Sequence, residues 1–72
     1  MIKDYEINQQ KIINALNDSI KLHIVFKNRS WRNGYVVKVE ESYFEFKDDK
    51  EGIEPYFFLE VLEVHIYKEG GR

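Results

Sequence analysis

The densest set of groups able to do chemistry in this sequence is Lys27-Asn28-Arg29-Ser30-Trp31-Arg32-Asn33. Cations are interleaved there with one indole, one hydroxyl and two side-chain amides. Lys and Arg meet phosphate oxygens, and an indole offers a face on which any base can stack. The segment therefore has the make-up of a single-strand nucleic-acid contact, with Lys27, Arg29, Trp31 and Arg32 as candidates. The plainer reading of the same residues is a solvated hairpin turn whose Trp31 covers one end of a β-structure.

The remaining reactive side chains form no constellation. His23 and His65 are the only histidines, and no His/Asp/Glu cluster near them has metal-ligand spacing, so they read as surface or interface groups. The acids Asp48, Asp49, Glu51 and Glu54 surround Gly52, but the segment is too short for the ~12-residue loop that holds calcium, and it reads as a polar turn. Ser19, Ser30 and Ser42 have no histidine partner in the pattern, and there is no glycine-rich phosphate loop. The carboxylates crowd into turns rather than a dry pocket that would shift their ionisation. The expectation is a protein with no catalytic residues, no metal and no cofactor, and not an enzyme.

The elements that must carry these groups are legible from periodicity. Residues 5–18 read as a helix, with Ile13, Leu16 and Ile20 on one face beside Ile12, and Gln9, Gln10, Lys11 and Asn14 on the other. Asp4 or Asn8 can cap its start, and Asn17-Asp18-Ser19 can end it. From Lys21 the period becomes two. Leu22, Ile24 and Phe26 oppose Lys21, His23, Val25 and Lys27. Tyr35, Val37 and Val39 oppose Val36, Lys38 and Glu40. Phe44 and Phe46 oppose Tyr43, Glu45 and Lys47. Turns fall within 28–33, at Glu41-Ser42 and at 48–52, where Gly52 can take positive φ. Pro55 cannot donate to a ladder and belongs at a strand start or edge. Tyr56–Leu59 and Val64–Tyr67 are strands joined by a kink. One helix followed by five short strands predicts a mostly β fold: an N-terminal α-helix and a strongly bent five-stranded antiparallel small β-barrel.

Residues 1–72 make one domain: a helix over about 5–18, a barrel over about 21–68 and a flexible tail at 69–72. A chain of this size buries only about 60% of its unfolded surface, and with no cysteine it has no disulfide to reinforce it. Partner chains are the expected source of extra stability. The longest apolar run, Tyr56–Leu59, cannot span a bilayer, and Met1–Glu6 lack the apolar centre of a signal peptide. A mature, soluble, cytoplasmic protein is expected. Its net charge of −2 is unevenly spread: residues 1–39 hold seven Lys and Arg against three acids, and residues 40–72 hold four against ten. That balance does not suit a protein that coats duplex DNA, where phosphate neutralisation dominates affinity.

The order helix, strand, turn, bent hairpin, short loop and strand pair resembles that of the Sm/Lsm-like proteins, nearest their Hfq-like members. Residues 9–16, Gln-Gln-Lys-Ile-Ile-Asn-Ala-Leu, are similar to that family's N-terminal helix, and residues 24–34 to its first strand and turn. Gly34-Tyr-Val-Val-Lys-Val-Glu40 resembles the first Sm motif, a glycine, alternating apolar residues and an acid. The resemblance covers about residues 7–47 by pattern and the rest by shape. It implies a homo-oligomeric ring in which the fourth strand of one protomer, here about 55–60, pairs with the fifth strand of the next, about 64–68. Tyr56, Phe57, Phe58, Leu59, Val64, Ile66 and Tyr67 are the interface candidates. It also implies single-stranded RNA on a ring surface, with Tyr43 or Trp31 stacking and Lys27, Arg29 and Arg32 at phosphates.

The sequence departs from the family at both base-reading positions. Glu45 stands about where an asparagine is usual and would repel phosphate. Leu59-Glu60-Val61 replaces the Arg-Gly or Lys-His of the second motif. Only Gln9 or Gln10 matches the helix glutamine that contacts RNA in Hfq-like members. A second reading stays open, an assembly barrel that binds protein and no nucleic acid, supported by Glu45, Glu60 and the acidic second half.

Overall fold

The computed structural model describes residues 2–68; the tail expected to be flexible, 69–72, lies outside the described residues. The elements are α1 (Ile2–Asp18), β1 (Leu22–Phe26), β2 (Trp31–Val39), β3 (Tyr43–Asp48), β4 (Gly52–Phe57), a single 3₁₀ turn (Phe58–Glu60) and β5 (Val61–Ile66).

The helix starts three residues earlier than its periodicity predicts. Asp4 lies in its first turn, where a negative charge opposes the exposed N–H groups. Its apolar face is also rotated: Ile12 and Ala15 are buried, while Leu16 and Tyr5 pack against the core from its margin. Asn8, a candidate cap, is used elsewhere, its Nδ2 donating to the Leu62 carbonyl (3.3 Å). At the C-terminus Ser19 takes φ of 56°, and the Ile20 N–H donates back to the Ala15 carbonyl (3.0 Å). That bond closes a Schellman motif without glycine.

Every sheet pairing is antiparallel, and the strand order is β4-β3-β2-β1-β5. This corrects the expected barrel in one respect: no hydrogen-bonded ladder joins β4 to β5, so the sheet is open and both are edges. The reason lies between them. Tyr56 of β4 stacks on Phe26 of β1 (4.9 Å between centroids), and Phe44, Phe46 and Phe58 fill the space alongside. These rings fill the interior on the open side of the sheet with side-chain packing in place of a backbone ladder. The core is this aromatic group together with Leu22, Ile24, Val36, Val61 and Val64, closed by Ile12 and Ala15 of α1.

At Gly34 β2 leaves no room for a side chain against β3: a Cβ there would lie 1.9 Å from the Lys47 carbonyl oxygen. The β3–β4 turn is built by Asp48, whose buried carboxylate accepts from the N–H groups of Lys50 and Glu51 (2.8 and 2.9 Å). Gly52 follows at φ of 85°, the positive φ expected of it.

Candidate nucleic-acid face and free sheet edges

The β1–β2 turn is held by two backbone bonds, Arg29 N–H to the Phe26 carbonyl (2.9 Å) and Phe26 N–H to the Ser30 carbonyl (2.8 Å). This is a turn followed by a bulge residue in the left-handed region, a place that favours glycine. Here it is Arg29, at φ of 75°. Asn28 braces it by accepting from the Ser30 N–H (2.9 Å) and hydroxyl (2.6 Å). Lys27 and Arg29 are exposed at the tip.

Trp31 opens β2 rather than sitting in the turn, and its indole is 53% exposed. Strand register explains what surrounds it. On the outer face, away from the helix, His65, His23 and Asn33 form one cross-strand row, and Glu63, Val25 and Trp31 the next. The His23 ring lies 5.6 Å from the indole and 6.3 Å from the His65 ring. His23 Nδ1 is 2.6 Å from Asn33 Oδ1, and His65 Nε2 is 2.9 Å from Glu63 Oε1. In the tautomer that donates from Nδ1, His23 keeps Nε2 as a free acceptor. A third row begins with Lys21, whose ammonium lies 4.4 Å from the Tyr67 ring centroid and pairs with Asp49 (2.8 Å). The Asp49 bond is the main cause that holds the Lys21 pKa above its ordinary value.

The other sequence candidates fall elsewhere. Arg32 points to the inner side, opposite Ile24, where its guanidinium lies beside the Tyr56 phenol and the Asp48 and Glu51 carboxylates, which favour its charged form. Its Nη1 donates to the Trp31 carbonyl (2.8 Å) and its buried Nε has no partner. Tyr43 pairs with Phe57 at the start of β3, so the nine residues of β2 separate it from Trp31. Arg29, Trp31 and Arg32 line one pocket together with Asp48, Asp49 and Glu51, Lys27 lies in the turn just before them, and Tyr43 stands apart. His23 and His65, expected as surface or interface groups, stand beside Trp31 and Asn33 of the candidate segment on this outer face. The signal for them was the alternation that puts residues 21, 23 and 25 on one face. Among the described residues no group of three or more His, Cys, Asp or Glu side chains could hold a metal.

The interface candidates divide in the same way. Phe58 and Val64 are in the core, and Tyr56 packs on it from β4. Tyr67 is half-buried beside Lys21. Phe57, Leu59 and Ile66 are exposed, and they are joined by Ile53 on β4 and Leu62 on β5. Phe58 N–H donates to the Ser42 carbonyl beside β3, so residues 54 and 56 of β4 also turn their backbone inward and 53, 55 and 57 turn theirs to the open edge. On β5 the Tyr67 N–H bonds Lys21 of β1, which leaves the backbone of Val64 and Ile66 facing the other open edge.

No helix among the described residues is long and apolar enough to cross a membrane. The chain matches no family model, no curated protein and no solved structure, so its role is read from its own strands and side chains.

Proposed function

We propose that this chain is an Sm-like subunit that assembles with copies of itself into a ring and binds single-stranded RNA. The observation that carries this reading is the strand order, which leaves β4 and β5 as unpaired edges. Those edges carry Ile53, Phe57, Leu62 and Ile66, each 49% to 62% exposed. An apolar, unpaired edge is a template for another strand. RNA lies across the outer face of β1, β2 and β5, where a base stacks on Trp31 and His23, Asn33 offers its amide, and Lys27 and Arg29 meet phosphate.

Trp31 is the only tryptophan, so its fluorescence reports on that face alone. Short unstructured RNAs should quench it in a salt-dependent titration, and Trp31→Leu should weaken binding by roughly tenfold or more, the worth of one stacked base. Light scattering during size exclusion should give several protomers per particle. A monomer would remove the ring from the proposal, and an unquenched Trp31 at low salt would remove the RNA.

The second reading is an assembly barrel whose only partners are proteins. It is favoured by Glu45, which stands on the outer face opposite Pro55 and next to Lys38 in the β2–β3 register, and by the inward turn of Arg32. A multimer whose Trp31 ignores RNA selects this reading.

A further inference from the structure

His23 and His65 stand directly opposite each other on β1 and β5, with ring centres 6.3 Å apart on the outer face. Opposed residues of an antiparallel pair keep their Cβ atoms about 4.5–5.5 Å apart, so the ladder itself holds the two imidazoles as a pair. Each ring spends one nitrogen on an oxygen. His23 Nδ1 meets the Asn33 amide oxygen at 2.6 Å, and His65 Nε2 meets the Glu63 carboxylate at 2.9 Å. Both oxygens only accept, so in the neutral rings those nitrogens carry the protons. His23 Nε2 and His65 Nδ1 are left with lone pairs. An imidazole that ligates a metal is commonly held in this way: an oxygen on the far nitrogen fixes the tautomer and strengthens the near nitrogen as a ligand.

We propose that His23 Nε2 and His65 Nδ1 bind one late divalent transition-metal ion, copper(II) in preference to nickel(II) or zinc(II), with water completing its shell. An imidazole nitrogen ligates at about 2.0–2.1 Å, so two rings that share one ion have centres about 4.5–6.5 Å apart. The 6.3 Å found here lies at the wide end of that span, and the His65 side chain, 56% exposed, has room to turn inward. Among the described residues the pair gains no third His, Cys, Asp or Glu ligand. That rules out the closed four-ligand cage of a structural zinc site. It suits an ion content with two imidazoles and open water positions, and for a given set of nitrogens copper(II) stands at the top of the affinity order.

The surroundings agree with a bound cation. Trp31, Asn33 and Glu63 line the same hollow as the two rings. Glu63 brings a negative charge one row away, and Lys21, in the row on the other side, is neutralised by Asp49 at 2.8 Å. Both ligands belong to one chain, so the site is complete in a single copy and depends neither on the ring nor on RNA.

The indole of Trp31, the only tryptophan, lies 5.6 Å from the His23 ring and reports on the site. Copper(II) chloride titrated into the full chain should quench its fluorescence, with the end point at one ion per chain. His23→Gln and His65→Gln should each weaken binding by about tenfold or more, and Asn33→Leu by about tenfold through loss of the oxygen that orients His23. Asn33→Asp should bind as tightly as the original, since it keeps that oxygen. Electron paramagnetic resonance of the one-to-one sample should show two imidazole nitrogens on the copper. Nickel(II) should raise the melting midpoint of the original chain and leave that of His65→Gln unmoved, because an ion that binds only the folded state stabilises it. The His65 side chain is largely in water, so that variant keeps the fold without metal. Quenching that survives in either histidine variant, or a resonance spectrum with fewer than two imidazole nitrogens, overturns the site.

Discussion

Arg29 occupies a backbone position that glycine fills at no steric cost, and it does so at the exposed tip beside Trp31. Strain of this kind persists where a side chain is needed more than local stability. Arg29→Gly should therefore stabilise the fold by about 0.5–1 kcal/mol, seen as a higher melting midpoint, while it lowers RNA affinity and flattens the salt dependence. A variant that melts higher and binds RNA unchanged would leave the arginine without the role assigned to it. Lys21 offers a second test. Its pKa is raised above 10.5 in the folded chain, first by the bond to Asp49. Because the folded state holds the proton more tightly than the unfolded one, the pair's contribution is fully present at neutral pH. It is lost as pH rises through and beyond that value. Melting curves of the original chain and of Asp49→Asn should be offset slightly at neutral pH and converge in strong alkali. Both side chains are partly in water, so the offset is small.

At the scale of elements, the β2–β3 hairpin depends on Gly34. A methyl group there meets backbone, not a side chain that could swing aside. Gly34→Ala should cost about 3 kcal/mol, measured by denaturant unfolding; a loss below a few tenths would mean the strands can part without penalty. In the sequence this glycine stood out only as the start of a motif, whereas the five strands, the Gly52 turn and the helix exit near Ser19 were legible from periodicity and turn residues. What periodicity missed has physical reasons. Leu16 has the same hydrophobic character as Ile12, so the helix face could be placed only to within a residue, and Ala15, a weak signal, proved central. Trp31 read as a turn residue because Asn28, Ser30 and Asn33 flank it, but the turn closes at Ser30 and the strand begins at once. The division between Trp31 and Arg32 then follows from alternation within β2, which the charge-rich run concealed. His23 and His65 are far apart in sequence, and only the β1–β5 register sets them side by side.

For the whole molecule, the balance is between a small core and large exposed edges. Among the described residues Phe44, Phe46, Ile12 and Ile24 are the largest side chains wholly out of water, and a chain this short buries only a modest share of its surface. If neighbours cover the edges, folding and association are linked, and the melting midpoint should climb with protein concentration. Ile66→Lys, on the β5 edge, should abolish that climb and lower the particle mass to one protomer without unfolding the chain, since Ile66 is 62% exposed. A midpoint independent of concentration in the original chain would show that the aromatic interior is sufficient alone. Sequence reasoning expected closure of the sheet on itself; it could not see that no ladder joins β4 to β5, because periodicity places the strands and not which of their edges pair.

Pro55, in the middle of the β4 edge, has a further consequence. Two copies meeting β4 to β4 about a two-fold axis at Pro55 would set proline against proline, with both central amide donors missing. Symmetric dimers of that kind are disfavoured by a single residue. An assembly built from unlike edges has polarity: each subunit added leaves one β4 and one β5 still open, so growth stops only when the chain of subunits curves back to its origin. The pitch of one junction then fixes how many copies the particle contains, and a small change in that pitch would turn a closed ring into an unending fibre.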